Sequence, residues 1–412
     1  MMTKKDKHHS KEASSNHSHG MKAKATLDGL LSLLSQSPDK DRERAVYFHT
    51  PFCASRCTYC PFYKYTTLKS KGYDKHVIEM NNMLGKMPYI KEQPFEIFFF
   101  GGGTPTLLDD SSMKKVLTSF NENYAFADDY EFTVESTVRH LTDSKISLLK
   151  AHGVNRISLG IQAFDIKTRR MLGRPSSEEL ICEVVKKVQD SGMKLSIDLM
   201  YGLPGQTTTH FEEQVGKAID FEPDNISMYR LQLIGDLPIA KMIQKGKLPN
   251  LPDKSFIARM QSAGIDVAAS QGYTQWNIKN FSREKNAPCR YTQKTIKDRD
   301  LIPVGSSAGG KIGDYRLFSQ VDYTIFSETL QNGILPYLHC MEKPRTVSET
   351  ILGILEGMKI DKTALDYFLK SEAVNKSFER LLLEGWLKTF ESGMKLTKKG
   401  VLEFEQLKHF FE

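Results

Sequence analysis

The sequence predicts an α/β fold: a partial (β/α)6 barrel, then an α+β region ending in a winged-helix-like cap. Three observations predict it. From about residue 43, six short β-rich apolar runs alternate with amphipathic stretches. Strand and helix in strict alternation mean parallel βαβ units. Each run ends in polar or glycine-rich residues, as strands do in barrels that collect working residues at their carboxyl ends. After about residue 245 the alternation loosens. Strand count alone leaves a doubly wound sheet open.

The elements follow in order. Residues 1–40 are a polar His-rich tail and an N-terminal helix; the tail carries His8, His9, His17 and His19 and reads as a solvated arm. Residues 41–245 form the core. Its strands are AVYFHT, FEIFFFGG, YEFTVEST, RISLGIQAF, LSIDLMYGLP and NISMYRLQL. Between them lie helical stretches such as SKISLLKAHG and SSEELICEVVKKVQDSG. Residues 246–345 extend the core through the connection KGKLPNLPDKS and the glycine-serine loop VGSSAGGKIGDY. Residues 346–412 read as three helices, the hairpin GWLKTFESGMKLTKKG and a last helix. Such caps often bind DNA, but none of these helices is strongly basic. A packing or lid role is expected, and a nucleic-acid partner is not.

Composition bounds the function class. The net charge of +7 over 412 residues argues only weakly for an acidic partner. Six cysteines in so long a chain are not a disulfide scaffold. No apolar run reaches membrane-spanning length and the start has no apolar signal core, so a cytoplasmic protein is expected.

Half the cysteines stand together. YFHTPFCASRCTYCPF places Cys53, Cys57 and Cys60 in one short loop. Three thiolates can hold three irons of a [4Fe–4S] cluster and leave the fourth iron open. Zinc competes, but structural zinc takes four protein ligands. The next cysteine is Cys182, and the nearest extra ligand, His49, lies inside the first strand. Three buried structural thiols would make an odd core.

This stretch resembles the radical S-adenosylmethionine (SAM) enzymes, in the HemN/HemW-like branch that contains oxygen-independent coproporphyrinogen oxidase. The resemblance covers roughly residues 43–320 and implies a radical SAM barrel. It implies a [4Fe–4S] cluster on Cys53, Cys57 and Cys60, with SAM on the open iron. Reductive cleavage of SAM would then give a 5′-deoxyadenosyl radical. In FFFGGGTPT, Gly101, Gly102, Gly103 and Thr104 match the loop that holds the SAM ammonium; glycines let backbone approach a ligand closely. Glu135, Gln162, Arg174 and Asp198 match further SAM contacts, and Tyr47 and Phe62 match positions lining the cluster and SAM. One or two SAM molecules are implied. An ordinary strand-to-helix turn explains one glycine better than three.

Within the branch, the coproporphyrinogen oxidases carry a fourth cysteine where this chain has Phe62. The haem chaperones of the HemW type carry a His-Asn…Tyr-Trp signature after the NFSR segment; here it reads EKNAPCRYTQKTI, with no His between His210 and His339. The cysteine motif and VGSSAGGKIGDY are most similar to the haem-utilization HutW/ChuW type. That resemblance implies an enzyme that opens haem without oxygen and releases iron, with methyl transfer as an added step. A haem chaperone is the alternative, and a radical SAM methyltransferase ranks third. The partners implied are haem or a related tetrapyrrole and a low-potential electron donor of the flavodoxin or ferredoxin type. Lys311 and Arg316 are candidates to meet haem propionates; Cys289 or Cys340 could ligate haem iron, but either cysteine reads better as a buried apolar residue.

Overall fold

The first apolar run becomes strand β1 (Glu43–Thr50), and the sheet grows outward from it in both directions. The computed structural model describes residues 27–62, 65–66, 72–283, 288–293, 299–313, 315–341 and 346–411. The histidines of the N-terminal tail lie outside these, as does the side chain of Cys340.

Beyond β1 the chain forms a two-residue parallel pair, β2 (Phe52–Cys53) and β3 (Tyr65–Thr66). Then come β4 (Phe95–Gly102), β5 (Phe126–Ser136), β6 (Arg156–Gln162), β7 (Lys194–Tyr201) and β8 (Asn225–Arg230). Strands β1, β4, β5, β6, β7 and β8 are neighbours in that order and all parallel. The order follows the chain without reversal. A doubly wound sheet reverses at a switch point, so this is the singly wound barrel arrangement. β1 and β8 do not pair with each other, which leaves the barrel open.

The sequence reading stopped the parallel array at six strands. A seventh, β11 (Arg299–Val304), pairs parallel with the other edge of β1. Its run, RDLIPV, is short and lies far along the chain, so local alternation did not reveal it. β12 (Gly309–Ile312), β13 (Tyr315–Ser319) and β14 (Tyr337–Met341) continue antiparallel beyond β11. β10 (Asn280–Arg283) and β9 (Tyr273–Gln275) continue beyond β8. Twelve strands thus form one sheet, and residues after 245 extend both of its edges.

The two faces of the parallel strands differ. Successive side chains point to opposite faces. Val46, Phe48, Phe98, Phe100, Phe132, Val134, Ile157 and Leu159 face outward into one continuous apolar core under the helices. The alternate residues face inward: apolar or aromatic on β1 and β4 (Ala45, Tyr47, Ile97, Phe99) and polar on β5 and β6 (Glu131, Thr133, Glu135, Arg156, Ser158). Near the amino ends of the strands, fully buried Arg156 pairs with Glu131 Oε2 at 3.0 Å and donates to Asn225. Residues 288–293 close this end. Cys289 Sγ donates to Glu131 Oε1 at 3.2 Å, and Tyr291 stacks on Phe99 with ring centroids 4.0 Å apart.

Residues from 346 build a separate apolar cluster around Ile351, Leu355, Phe378, Leu381 and Trp386. Helix Val347–Leu355 starts with a Thr346/Glu349 capping box. Strand β15 (Lys359–Asp361), helices Lys362–Phe368 and Glu372–Leu383, and the hairpin β16 (Leu387–Phe390) and β17 (Gly393–Leu396) follow. Three helices and a hairpin are the elements read from the sequence; β15 joins them, giving the sheet order β15-β17-β16.

Candidate functional site

The cysteine loop leaves β1 at its carboxyl end and is pinned from three sides. Gly103 N donates to Thr50 O at 2.6 Å, and Thr104 N donates to Phe52 O at 2.9 Å. Thr58 bonds through its N–H to Leu172 O at 3.2 Å and through its hydroxyl to Met171 O at 2.8 Å. Ile239 N donates to Thr58 O at 3.0 Å. The loop that carries the thiols is therefore held by the segment just after β4, the C-terminal end of helix Ile166–Met171 and the start of helix Pro238–Gln244.

Cys53, Cys57 and Cys60 are buried, free thiols. Cys53 and Cys57 line a cavity of about 250 Å³, with Thr104, Arg139, His140 and Arg174 among its other walls. Among the described residues no three His, Cys, Asp or Glu side chains gather as a single-ion site requires.

The glycine loop is forced by packing. A Cβ on Gly103 would lie 2.2 Å from Phe52 O. Gly102 has φ 98°, and its Cβ would meet the His49 ring at 2.6 Å. A Cβ on Gly101 would come within 2.8 Å of Glu135 Oε2, and Gly102 N donates to that same oxygen at 3.2 Å. These glycines admit neighbouring parts of the chain.

Strands β6 and β7 supply the opposite wall. Gln162 sits at a register break in β6 with φ 70°, a left-handed conformation costly for a side-chain-bearing residue. Arg174 donates to Gly160 O at 2.7 Å. Burial opposes its charge, yet Tyr59 and Cys57 beside it hold the guanidinium above its ordinary value. Its buried Nε has no hydrogen-bond partner within the chain. Asp198 accepts from Ser158 Oγ at 3.3 Å. Burial pushes its carboxyl up to about 6, against hydrogen bonds from Ser227 and Ser158 and the charge of Arg174.

An aromatic wall completes the inner face. Tyr47 bonds His49 Nδ1 at 2.9 Å and lies beside the Phe99–Tyr291 stack, with its ring centroid 6.2 Å from Phe99 and 5.9 Å from Tyr291. Burial, first, raises the Tyr47 hydroxyl well above its ordinary value.

Not every expected residue reaches this place. Phe62 is 66% exposed and does not line the cavity. Lys311 and Arg316 face each other across β12 and β13, and neither lines the cavity. Cys289 is the buried residue that the sequence favours over a haem ligand: its thiol is sealed against Glu131, and burial pushes it up to about 11. The glycines of VGSSAGGKIGDY serve backbone packing; a Cβ on Gly310 would lie 2.2 Å from Leu301 O. The sequence reading missed Tyr291, Arg139, His140, Ser158 and Ser227. The two serines carried a signal: they are polar residues at alternate positions of apolar strands, in RISLG and NISMY.

Comparison with known proteins agrees with this geometry. Residues 47–216 match the Radical SAM superfamily model. The chain is 27% identical over 368 residues to the haem chaperone HemW of Bacillus subtilis, covering 87% of this chain and 96% of that one. It is 26% identical over 328 residues to the anaerobilin synthase of Escherichia coli O157:H7, covering 79% and 74%. The solved structure of coproporphyrinogen III oxidase (HemN) from Escherichia coli, at 21% identity, superposes with a TM-score of 0.82 over 96% of this chain and 95% of that one. That likeness shows the fold.

The family implies a [4Fe–4S] cluster and SAM, and the residues present fit them. Three free thiols share one short loop, two of them, Cys53 and Cys57, line the cavity, and the guanidinium of Arg174, with its unpartnered Nε, adjoins Cys57. From motif and relatives together, residues 47–216 carry a radical SAM domain, and the chain is similar along most of its length to proteins of the HemN/HemW-like branch.

Proposed function

We propose that this protein is a radical SAM enzyme acting on a tetrapyrrole, and that its reaction is the oxygen-independent opening of haem with release of iron. The carrying observation is the placement of residues 289–292. In the haem chaperones this region holds the signature linked to haem binding. Here Cys289 and Tyr291 turn into the barrel, against Glu131 and Phe99. They seal its floor and present no axial ligand at its mouth. The anaerobilin synthase relative supports the same reading.

When bound, the cluster and SAM supply one-electron cleavage of a carbon–sulfur bond and a carbon radical. The chain's own residues do the rest. Cys53, Cys57 and Cys60 hold iron, and Arg174 offsets the negative charge that their thiolates bring. Asp198, Glu135 and Gly101–Thr104 form the wall on which SAM is positioned. Tyr47, Phe99 and Tyr291 keep water from the inner face. A low-potential flavodoxin or ferredoxin type of protein supplies the electron. Methyl transfer from a second SAM is an added step of the same reading.

The chaperone reading retains support from the HemW relative, which spans more of the chain. The two differ in stoichiometry. An enzyme consumes SAM in proportion to altered tetrapyrrole, and Cys57→Ala abolishes both. A chaperone delivers haem of unchanged mass without consuming SAM.

A further inference from the structure

The surface over the cysteine loop is cationic in a way the chemistry inside does not require. Between buried Cys53 and Cys57, the residues Ala54, Ser55 and Arg56 are all exposed. At this place the thiols lie directly beneath the surface. Arg56 adjoins the segment after the helix Ile166–Met171: its carbonyl oxygen is 3.3 Å from where a Cβ on Gly173 would sit. On that helix Lys167 and Arg170 are exposed and three residues apart, hence on one side. Across the cavity, exposed Arg139 is fixed by bonds to Pro175 O at 3.0 Å and Ser176 Oγ at 3.3 Å. None of the residues lining the cavity is Asp or Glu. Two carboxylates on the neighbouring segments are engaged elsewhere: Asp165 with His210 at 2.9 Å, and Glu178 with Lys217 at 2.6 Å. Among the described residues, none of the four cations forms an ion pair.

Four cations spread around an opening do not suit a small carboxylate. Each exposed pair is worth little alone. A like-charged patch of this breadth acts by complementing a partner's field and steering its approach. We propose that Arg56, Arg139, Lys167 and Arg170 form the docking face for an acidic, low-potential electron-carrier protein, with residues 54–56 turned toward the carrier's redox group. The inference rests on the proposed function, which needs such a carrier, and adds where it binds. One electron passes from the reduced carrier to the iron–sulfur group on the cysteines. The carrier is oxidised by one electron, the group is reduced by one, and no bond or proton is exchanged.

The test is a binding titration of cluster-loaded protein with an acidic flavodoxin, at about 50 mM and about 300 mM salt. Arg56→Glu/Arg170→Glu is expected to weaken binding about tenfold or more at low salt and to flatten the salt dependence. The control is Lys388→Glu/Lys395→Glu, exposed cations facing each other on β16 and β17, and should bind as the wild type. Iron content and the paramagnetic signal after dithionite should be equal in all three proteins, which establishes intact sites. Unchanged affinity in the Arg56/Arg170 variant would overturn the proposal. So would equal loss in the control, or a short DNA duplex that binds as tightly as the flavodoxin. Haem conversion driven by dithionite reports on the proposed reaction alone, so the two ideas fail separately.

Discussion

The thiols and the buried carboxylate of Asp198 make the sharpest claims. Cys57 is buried, and losing one sulfur there costs packing on the order of 1 kcal/mol, too little to unfold the chain. Cys57→Ala should keep its circular dichroism and lose bound iron and the charge-transfer absorbance near 400 nm or so. Unfolding of the variant would instead make the loop a structural element. Asp198 gives a pH signature. Its carboxyl, raised to about 6, protonates below that pH and stops accepting hydrogen bonds from a ligand. SAM affinity should therefore fall as pH drops through about 6, and Asp198→Asn should bind weakly with no such step. The sign for folding is opposite. A carboxylate pushed upward by burial weighs against the folded state as pH rises past its unfolded value, so Asp198→Asn should stabilise the protein most above about pH 6.

The elements show why part of the site was legible. CxxxCxxC, GGGTPT and the polar strand ends are local patterns, and the structure brings Cys53, Cys57, Thr104 and Arg174 to one cavity. The outward faces were equally plain, because Val46, Phe48, Phe98 and Phe100 alternate with the inward residues. What stayed hidden depends on long-range pairing. β11 joins β1 across some 250 residues, and Tyr291 reaches Phe99 from a segment with no periodic signal. The glycine loop yielded its place but not its reason, since a contact such as Gly103 against Phe52 appears only on folding. Gly103→Ala must separate β4 from the start of the cysteine loop, at a cost of about 1–3 kcal/mol, and thermal melting should record it. The barrel floor makes the strongest stability claim. Arg156→Ala leaves Glu131 buried without its cation, and denaturant melts should show a loss of about 3–5 kcal/mol.

At the scale of the whole molecule, one twelve-stranded sheet holds the loop, the cavity and the closed floor in a fixed relation. Its inner face runs from the buried Arg156–Glu131 pair, through the aromatic wall, to the thiols at the opposite end. Such a vessel, shut below and open above, suits chemistry that must exclude water. The region from residue 346 has its own core and is tied to a helix of the sheet by Lys398 and Asp266 at 2.6 Å. Among the described residues no helix is long and apolar enough to cross a membrane. The central claim is that the tetrapyrrole is changed, and one anaerobic measurement tests it most directly. Cluster-loaded protein is mixed with haem, SAM and a low-potential reductant. The Soret band is followed while mass spectrometry reads the pigment. The account predicts loss of the band, release of iron and a ring-opened product. A shifted band that persists, with haem of unchanged mass, would contradict it and identify a carrier.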